Sequence, residues 1–281
     1  MIESTIGGLT FSNESDSHSI ETLDGWYSGP PADPEIERRP NANGAFGSTR
    51  DFKSPRVLTQ TGLLIATDFE QAVTELWPQF SALQSDGVPL PFTVTDPSGA
   101  KSCLVTLSGP PVVQPIVDGL ASYVLQLIAR DPVKYGPAQT LSTGLPTSGG
   151  GLQYPLGSPA GALYYGALGN LGRVVLTNGG TAETWPTFEV TGELTSGFYL
   201  QCLESGDVLR YERIVPAGTS VSLDARTGEV LIDGVSDGST YLVRGEWFSA
   251  APGGVCTVQF NSIGASSGTP QLSATISNGY W

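Results

Sequence analysis

The sequence predicts a mainly β protein in two parts: a β-rich N-terminal domain with one α-helix, and a C-terminal β-sandwich of jelly-roll type. Three observations carry this. Runs of Val, Leu, Ile, Tyr and Phe alternating with polar residues recur along the chain, as half-buried strands require, because successive side chains point to opposite faces. A single stretch, Asp68 to Gln84, repeats apolar residues at spacings of three and four, the period of a helix face. Glycine and proline, 36 and 21 of 281 residues, punctuate the runs without a collagen period.

The first part spans residues 1–136. Arg56 to Ala66, Ser102 to Leu107 and Ala121 to Ala129 read as strands, being rich in apolar β-branched, Leu and Tyr residues. The helix over Asp68 to Gln84 opens on Thr67 and Glu70, which have capping-box spacing; each side chain would accept a backbone N–H exposed at the helix start. Phe69, Val73, Leu76, Phe80 and Leu83 form the expected inward stripe. Pro78 removes one helical hydrogen bond and should kink or split the helix.

Residues 137–161 have linker composition. They are rich in Pro, Gly, Ser and Thr, include the run Gly149-Gly150-Gly151, and begin a charge-free stretch from Gln139 to Asn170, as flexible connections do.

The second part, 162–281, reads as strands throughout: Gly172 to Thr177, Pro186 to Thr191, Gly197 to Leu203, Val208 to Val215, Ser220 to Asp224, Glu229 to Asp233, Thr240 to Arg244, Gly254 to Phe260 and Gln271 to Ile276. Turns such as Pro216-Ala217-Gly218 and Asp233-Gly234 separate them. Many short strands at regular spacing indicate a β-sandwich or jelly roll. No helix is expected here.

Charge narrows the function classes. The net charge is −14, so stable nucleic-acid binding is not expected, and neither is attraction to an anionic membrane surface. No run approaches the roughly 20 apolar residues of a membrane span, and Met1 to Phe11 lacks the basic start and apolar core of a signal peptide. Cys103, Cys202 and Cys256 are far apart, each in an apolar run, and read as buried free thiols. A Cys202–Cys256 bridge is the alternative.

Little in the chain points to chemistry. The single histidine, His18, lies in a polar stretch and reads as a solvated loop residue. No Gly-x-Ser-x-Gly elbow accompanies it, and one histidine with scattered cysteines lacks zinc-ligand spacing. Glu189, Glu204 and Glu229 are the acids that a glycoside hydrolase would use, since that reaction needs only two opposed carboxylates; all three read equally well as outward strand positions. Asp233 and Asp237 lack the acid spacing of a calcium loop. An enzyme is therefore not expected, and no catalytic, cofactor-binding or metal residue is named.

One cluster departs from the acidic background. Arg38, Arg39, Arg50, Lys53 and Arg56 flank the segment Asn41 to Gly47. A basic loop in an acidic chain is a candidate contact with a neighbouring subunit. The alternative is a solvated loop paired locally with Glu35, Glu37 and Asp51.

Several motifs occur in a fixed order. They are Gly25-Trp26-Tyr27, the segment Arg39 to Gly47, the Asp131-Pro132-Val133-Lys134-Tyr135-Gly136 ending, the run Asn178 to Gly192, the hairpin Leu223 to Gly234, and Pro252 to Phe260. In these the chain resembles the distal tail proteins of siphophages, in the minor tail protein form found in phages of actinobacteria. Val255 stands where that family usually has Asn. The resemblance implies a structural virion protein: an N-terminal belt domain closing into a six-membered ring at the end of the tail tube, and a galectin-like β-sandwich projecting from it. It implies a homo-oligomer that contacts the tail tube protein and the tail-tip protein, is made in the host cytoplasm and is carried in the virion. A receptor-binding protein or a host glycan is a further partner consistent with it. The rival reading is a carbohydrate-binding module for host adhesion, with Trp185 and Trp247 as glycan-contact aromatics and Tyr164, Tyr165 and Trp281 also available.

Overall fold

A computed structural model describes residues 1–33, 36–43, 45–47, 52–83, 87–151 and 167–281. The chain forms two compact units, one of Met1–Pro137 with Tyr280–Trp281 and one of Ala138–Gly279.

The N-terminal unit is built on two antiparallel sheets that share a strand. One has the spatial order Leu9–Ser12, Glu3–Ile6, Leu90–Asp96, Gly99–Leu107; the other runs Val112–Val117, Leu120–Ala129, Arg56–Ile65, Thr22–Asp24. Gly99–Leu107 pairs with Leu90–Asp96 along most of its length, and Thr106 and Leu107 then pair with Ile128 and Leu127 of the second sheet. The longest ladder joins Arg56–Ile65 to Leu120–Ala129 over all ten residues, Arg56 opposite Ala129 and Ile65 opposite Leu120. Alternate residues of Arg56–Ile65 are turned inward, so Arg56, Leu58, Gln60 and Leu64 are all buried. The two polar members need internal partners, because a buried polar group without one costs about 1–3 kcal/mol. For Gln60 these are the Ser4 hydroxyl, which donates to its carbonyl at 2.8 Å, and the Tyr123 hydroxyl, which accepts from its amide at 3.0 Å. Tyr123 in turn donates to the Ser19 carbonyl at 2.9 Å.

The expected helix is present but starts and winds differently. It comprises Phe69–Gln71, a π-helical turn Ala72–Leu76, and Trp77–Ala82; Gln84 lies outside the described residues. Asp68 is the cap rather than Thr67. Its carboxylate accepts the Gln71 N–H at 2.8 Å, and the Gln71 side chain accepts the Thr67 N–H at 2.8 Å. Pro78 has no N–H to return to the turn before it. The adjacent Trp77 N–H reaches the Ala72 carbonyl, five residues back. The wider turn moves the buried stripe to Ala72, Leu76, Phe80 and Leu83, leaving Phe69 and Val73 exposed.

The C-terminal unit is a β-sandwich. One sheet has the order Arg173–Thr177, Val255–Ser262, Phe198–Cys202, Val208–Tyr211, Leu242–Gly245. The other runs Ser266–Tyr280, Thr187–Leu194, Ser220–Asp224, Glu229–Ile232, Ser236–Asp237. Beside Ser266–Tyr280 lies the end of strand Lys134–Gly144, with the Thr140 and Thr275 hydroxyls 2.8 Å apart. Phe188, Val190, Leu223 and Leu272 from this sheet pack against Leu176, Leu200, Val258 and Phe260 of the first, all buried. This matches the expected alternation, in which every second residue faces the partner sheet. All nine predicted runs hold a strand, although Thr240 to Arg244 begins as a short 3₁₀ turn, Ser239–Tyr241.

Candidate functional site

The motifs that carry the family resemblance meet inside each unit. In the N-terminal unit the meeting point is Arg56, which is 1% exposed. Its guanidinium donates to the carbonyls of Gly25 at 2.7 Å, Ser28 at 2.6 Å and Pro132 at 3.0 Å. Lys134 lies alongside, donating to the Trp26 carbonyl at 2.7 Å with its ammonium 5.3 Å from the centre of the Trp26 ring. Burial, followed by the neighbouring Arg56, pulls the Lys134 ammonium down to about 8. These two cations fasten the Gly25-Trp26 turn to the Asp131-Pro132 turn. Gly25 has φ +81°, and a Cβ there would lie 2.1 Å from the Val57 carbonyl oxygen, so no other residue fits. Arg56 is thus placed in the interior, apart from the other basic residues of its cluster.

In the C-terminal unit the corresponding stitch is Asn178, which is fully buried. Its amide donates to the carbonyls of Ala182 at 2.7 Å, Ala250 at 3.1 Å and Ala251 at 3.3 Å. Its carbonyl accepts from the N–H groups of Gly180 at 3.0 Å and Gly279 at 3.2 Å. Gly180 faces the Gly279 carbonyl, which would lie 1.8 Å from a Cβ. The Asn-Gly-Gly run is therefore a closure device between three segments.

The basic cluster is divided by the fold. Arg38, Arg39 and Lys53 are exposed, and Arg50 lies outside the described residues. The three belong to an arm of two short ribbons, Ala32–Asp33 with Phe52–Lys53 and Ile36–Arg38 with Ala45–Gly47. Neither ribbon joins a larger sheet among the described residues. The arm also displays Phe46 at 55% and Phe52 at 72% exposure, with Arg39 5.0 Å from the Phe46 ring centre. The signal for these aromatics was their position amid basic and glycine residues.

Trp185 and Trp247 are partly buried against the C-terminal core. Trp281 is 39% exposed, and Tyr164 and Tyr165 lie outside the described residues. A separate groove of about 550 Å³, lined by polar and apolar residues alike, includes Tyr199, Asn261, Asn170, Thr147, Leu145 and Pro270. It contains neither tryptophan.

Other residues weighed for chemistry are engaged structurally. His18 is not a solvated loop residue. Its ring meets Phe11 edge-on at 5.6 Å and stacks over Phe80 at 6.5 Å; its Nδ1 is 2.9 Å from the Ser17 hydroxyl, and its buried Nε2 has no hydrogen-bond partner among the described residues. Burial lowers its pKa from 6.5. Asp233 accepts the Ser220 N–H and Asp237 the Ser239 N–H, both at 2.8 Å, as turn residues do. Glu189 and Glu229 are exposed strand residues. All three cysteines are free and buried.

Comparison with known proteins places this geometry. Residues 179–270 match the family described as siphovirus-type tail component, C-terminal domain. The crystal structure of SPP1 Dit, described as a hub adsorption apparatus in phages infecting Gram-positive bacteria, matches over 100% of both chains with a TM-score of 0.69 at 12% identity. A chain of the phage p2 baseplate in its activated conformation with calcium matches over 98% of both chains, with a TM-score of 0.56 at 8% identity. The strontium form of that baseplate gives 0.55 at the same identity and coverage. At these identities the likeness establishes the fold. No curated protein sequence matches the chain.

Proposed function

We propose, from the premise that residues 179–270 carry a siphovirus-type tail component domain, that this chain is the distal tail protein of a long-tailed phage, a structural hub at the end of the tail. The observation that carries this reading is the pairing of that match with a distal-tail fold along the full length of the chain. The hub joins the tail tube protein to the tail-tip protein, and it acts by binding rather than by catalysis.

Copies of the chain close into a ring of six through the N-terminal domain expected from the sequence, residues 1–136. The arm supports this. A two-stranded ribbon standing alone is marginally stable in water, and two that expose Phe46 and Phe52, one on each, beside Arg38, Arg39 and Lys53 gain by docking. A second copy suits it, because the chain as a whole carries a net charge of −14 and complementary charge guides such contacts. A head-to-tail contact repeated by rotation closes into a ring when the angle fits. The same acidic balance would keep DNA from adhering as it passes through the centre.

The test is mass photometry and negative-stain microscopy of the full chain at rising concentration. Closed rings of uniform copy number are expected. A monomer at every concentration, alone and with tube protein, would overturn the ring.

A glycan-binding role for the C-terminal unit is the second reading, favoured by the groove that gathers Tyr199 with Asn170 and Asn261. Glycan-array binding by the full chain, abolished in Tyr199→Ala, is its test.

A further inference from the structure

In the C-terminal sandwich, side chains distant in sequence bring three metal-ligating atoms together. Cys202 ends strand Phe198–Cys202, Glu204 lies in the turn that follows, and Cys256 is on the neighbouring strand Val255–Ser262. The ladder between these strands sets Cys202 opposite Val258, which leaves Cys256 diagonal to it. The two sulfurs are 3.7 Å apart, and the Cys202 Sγ is 3.4 Å from the Glu204 carboxylate. All three ligand atoms lie within 4.8 Å of one another.

These separations have a chemical meaning. In a tetrahedral zinc site, with Zn–S about 2.3 Å and Zn–O about 2.0 Å, two sulfurs stand about 3.8 Å apart and a sulfur and an oxygen about 3.5 Å apart. A disulfide needs its sulfurs at about 2.05 Å. The observed 3.7 and 3.4 Å fit ligands around one small cation.

We propose that Cys202, Cys256 and Glu204 form a site for a thiophilic divalent cation of the zinc class, with a fourth position open on the exposed Glu204 side. Two thiolates and one carboxylate select zinc or cadmium over calcium or magnesium, which take oxygen ligands. On binding, two S–H bonds break, two metal–sulfur bonds form, and both protons pass to solvent. The Thr257 N–H donates to Glu204 at 2.7 Å, orienting the carboxylate as outer partners of metal ligands do. Both cysteines are almost fully buried while Glu204 is exposed, so ion entry is from the Glu204 side. The ion would tie the end of one strand to its neighbour.

The test uses the full chain, reduced and stripped with chelator, then titrated with Zn²⁺, Cd²⁺ or Co²⁺. Expected are one ion per chain, a thiolate charge-transfer band with Co²⁺, and a rise in the unfolding temperature of the C-terminal unit. Cys256→Ala abolishes the band, and Cys103→Ala leaves it unchanged. Glu204→Gln, at an exposed position that leaves the core intact, weakens uptake. The proposal fails if the reduced chain takes up no ion, if uptake survives both Cys256→Ala and Glu204→Gln, or if Cys202 and Cys256 oxidise to a disulfide in the presence of excess Zn²⁺.

Discussion

Arg56 and Pro132, 76 positions apart, are joined by a 3.0 Å hydrogen bond from the guanidinium to the backbone carbonyl. The same side chain also holds Gly25 and Ser28. Arg56→Met should remove three charge-assisted bonds and strand their carbonyls. The expected cost is on the order of 3 kcal/mol, since each hydrogen bond to a charged group contributes roughly 1.5–3 kcal/mol and part of the desolvation cost is recovered. Arg56→Lys should restore only part, because an ammonium lacks the planar fork that spans several acceptors. Hydrogen exchange along Arg56–Ile65 measures this locally. Protection unchanged by Arg56→Met would contradict it.

Asn178 closes the C-terminal unit through five hydrogen bonds to backbone groups. Asn178→Ala should destabilise that unit by roughly 3 kcal/mol or more, because several buried backbone groups lose partners at once. Chemical denaturation of the full chain, followed at C-terminal amides, should show the loss there and leave the N-terminal unit unchanged. Equal effects on both units would be contrary to this account.

His18 is the single histidine, so its ring signals in a proton spectrum are assigned without ambiguity. Its folded pKa lies below 6.5 because burial among Phe11 and Phe80 disfavours the cation. Below about 6.5 the unfolded chain therefore binds more protons than the folded one, and the stability of the N-terminal unit falls as pH decreases toward the folded pKa. His18→Gln should flatten this slope. An NMR titration midpoint at or above 6.5 would refute the assignment.

Lys134 has the opposite charge logic to a paired carboxylate. Its folded pKa of about 8 lies below the ordinary 10.5, so from pH 8 upward the unfolded chain holds more protons and stability rises with pH. Above pH 9 the trend is opposed by Cys103, whose thiol burial pushes up to about 12; the unfolded thiol ionises first. Near pH 8 an ordinary thiol of pKa 9.0 is still mostly protonated, so the lower part of the 8 to 9 window is dominated by Lys134. Hydrogen exchange at Leu120–Ala129, corrected for intrinsic rates, should show added protection across that window in the native chain and none in Lys134→Met. Identical slopes would rule it out.

The arm supplies a prediction on assembly. Phe52→Asp with Lys53→Glu alters two exposed side chains and removes both apolar area and positive charge. Circular dichroism should be unchanged while ring formation is reduced at least about tenfold, the effect of losing about 1.4 kcal/mol at each contact. Rings of undiminished yield would place the subunit contact elsewhere.

The strands were legible because their alternation is simple. Thr187–Leu194 buries Phe188 and Val190 as its pattern demands. The strand Arg56–Ile65 hid more, since Arg56 and Gln60 occupy inward positions that composition would assign to the surface; only their carbonyl and hydroxyl partners, distant in sequence, explain them. Thr67 and Asp68 can both cap a helix, and sequence alone does not choose between them. The inward turn of Ala72 depends on a π-helical turn next to Pro78 that a period of 3.6 does not describe. Cys202 and Cys256 are 54 positions apart, so their convergence with Glu204 follows from sheet register and leaves no spacing motif. His18 reads as polar from its neighbours, whereas its ring packs on aromatics from other elements.

The central claim is a place in the virion, at the far end of the tail. Electron microscopy of phage tails labelled with antibody against this chain tests it most directly. The account predicts label confined to the distal tip, where tube and tip proteins meet. Label distributed along the tube, or tails that carry none, would contradict it.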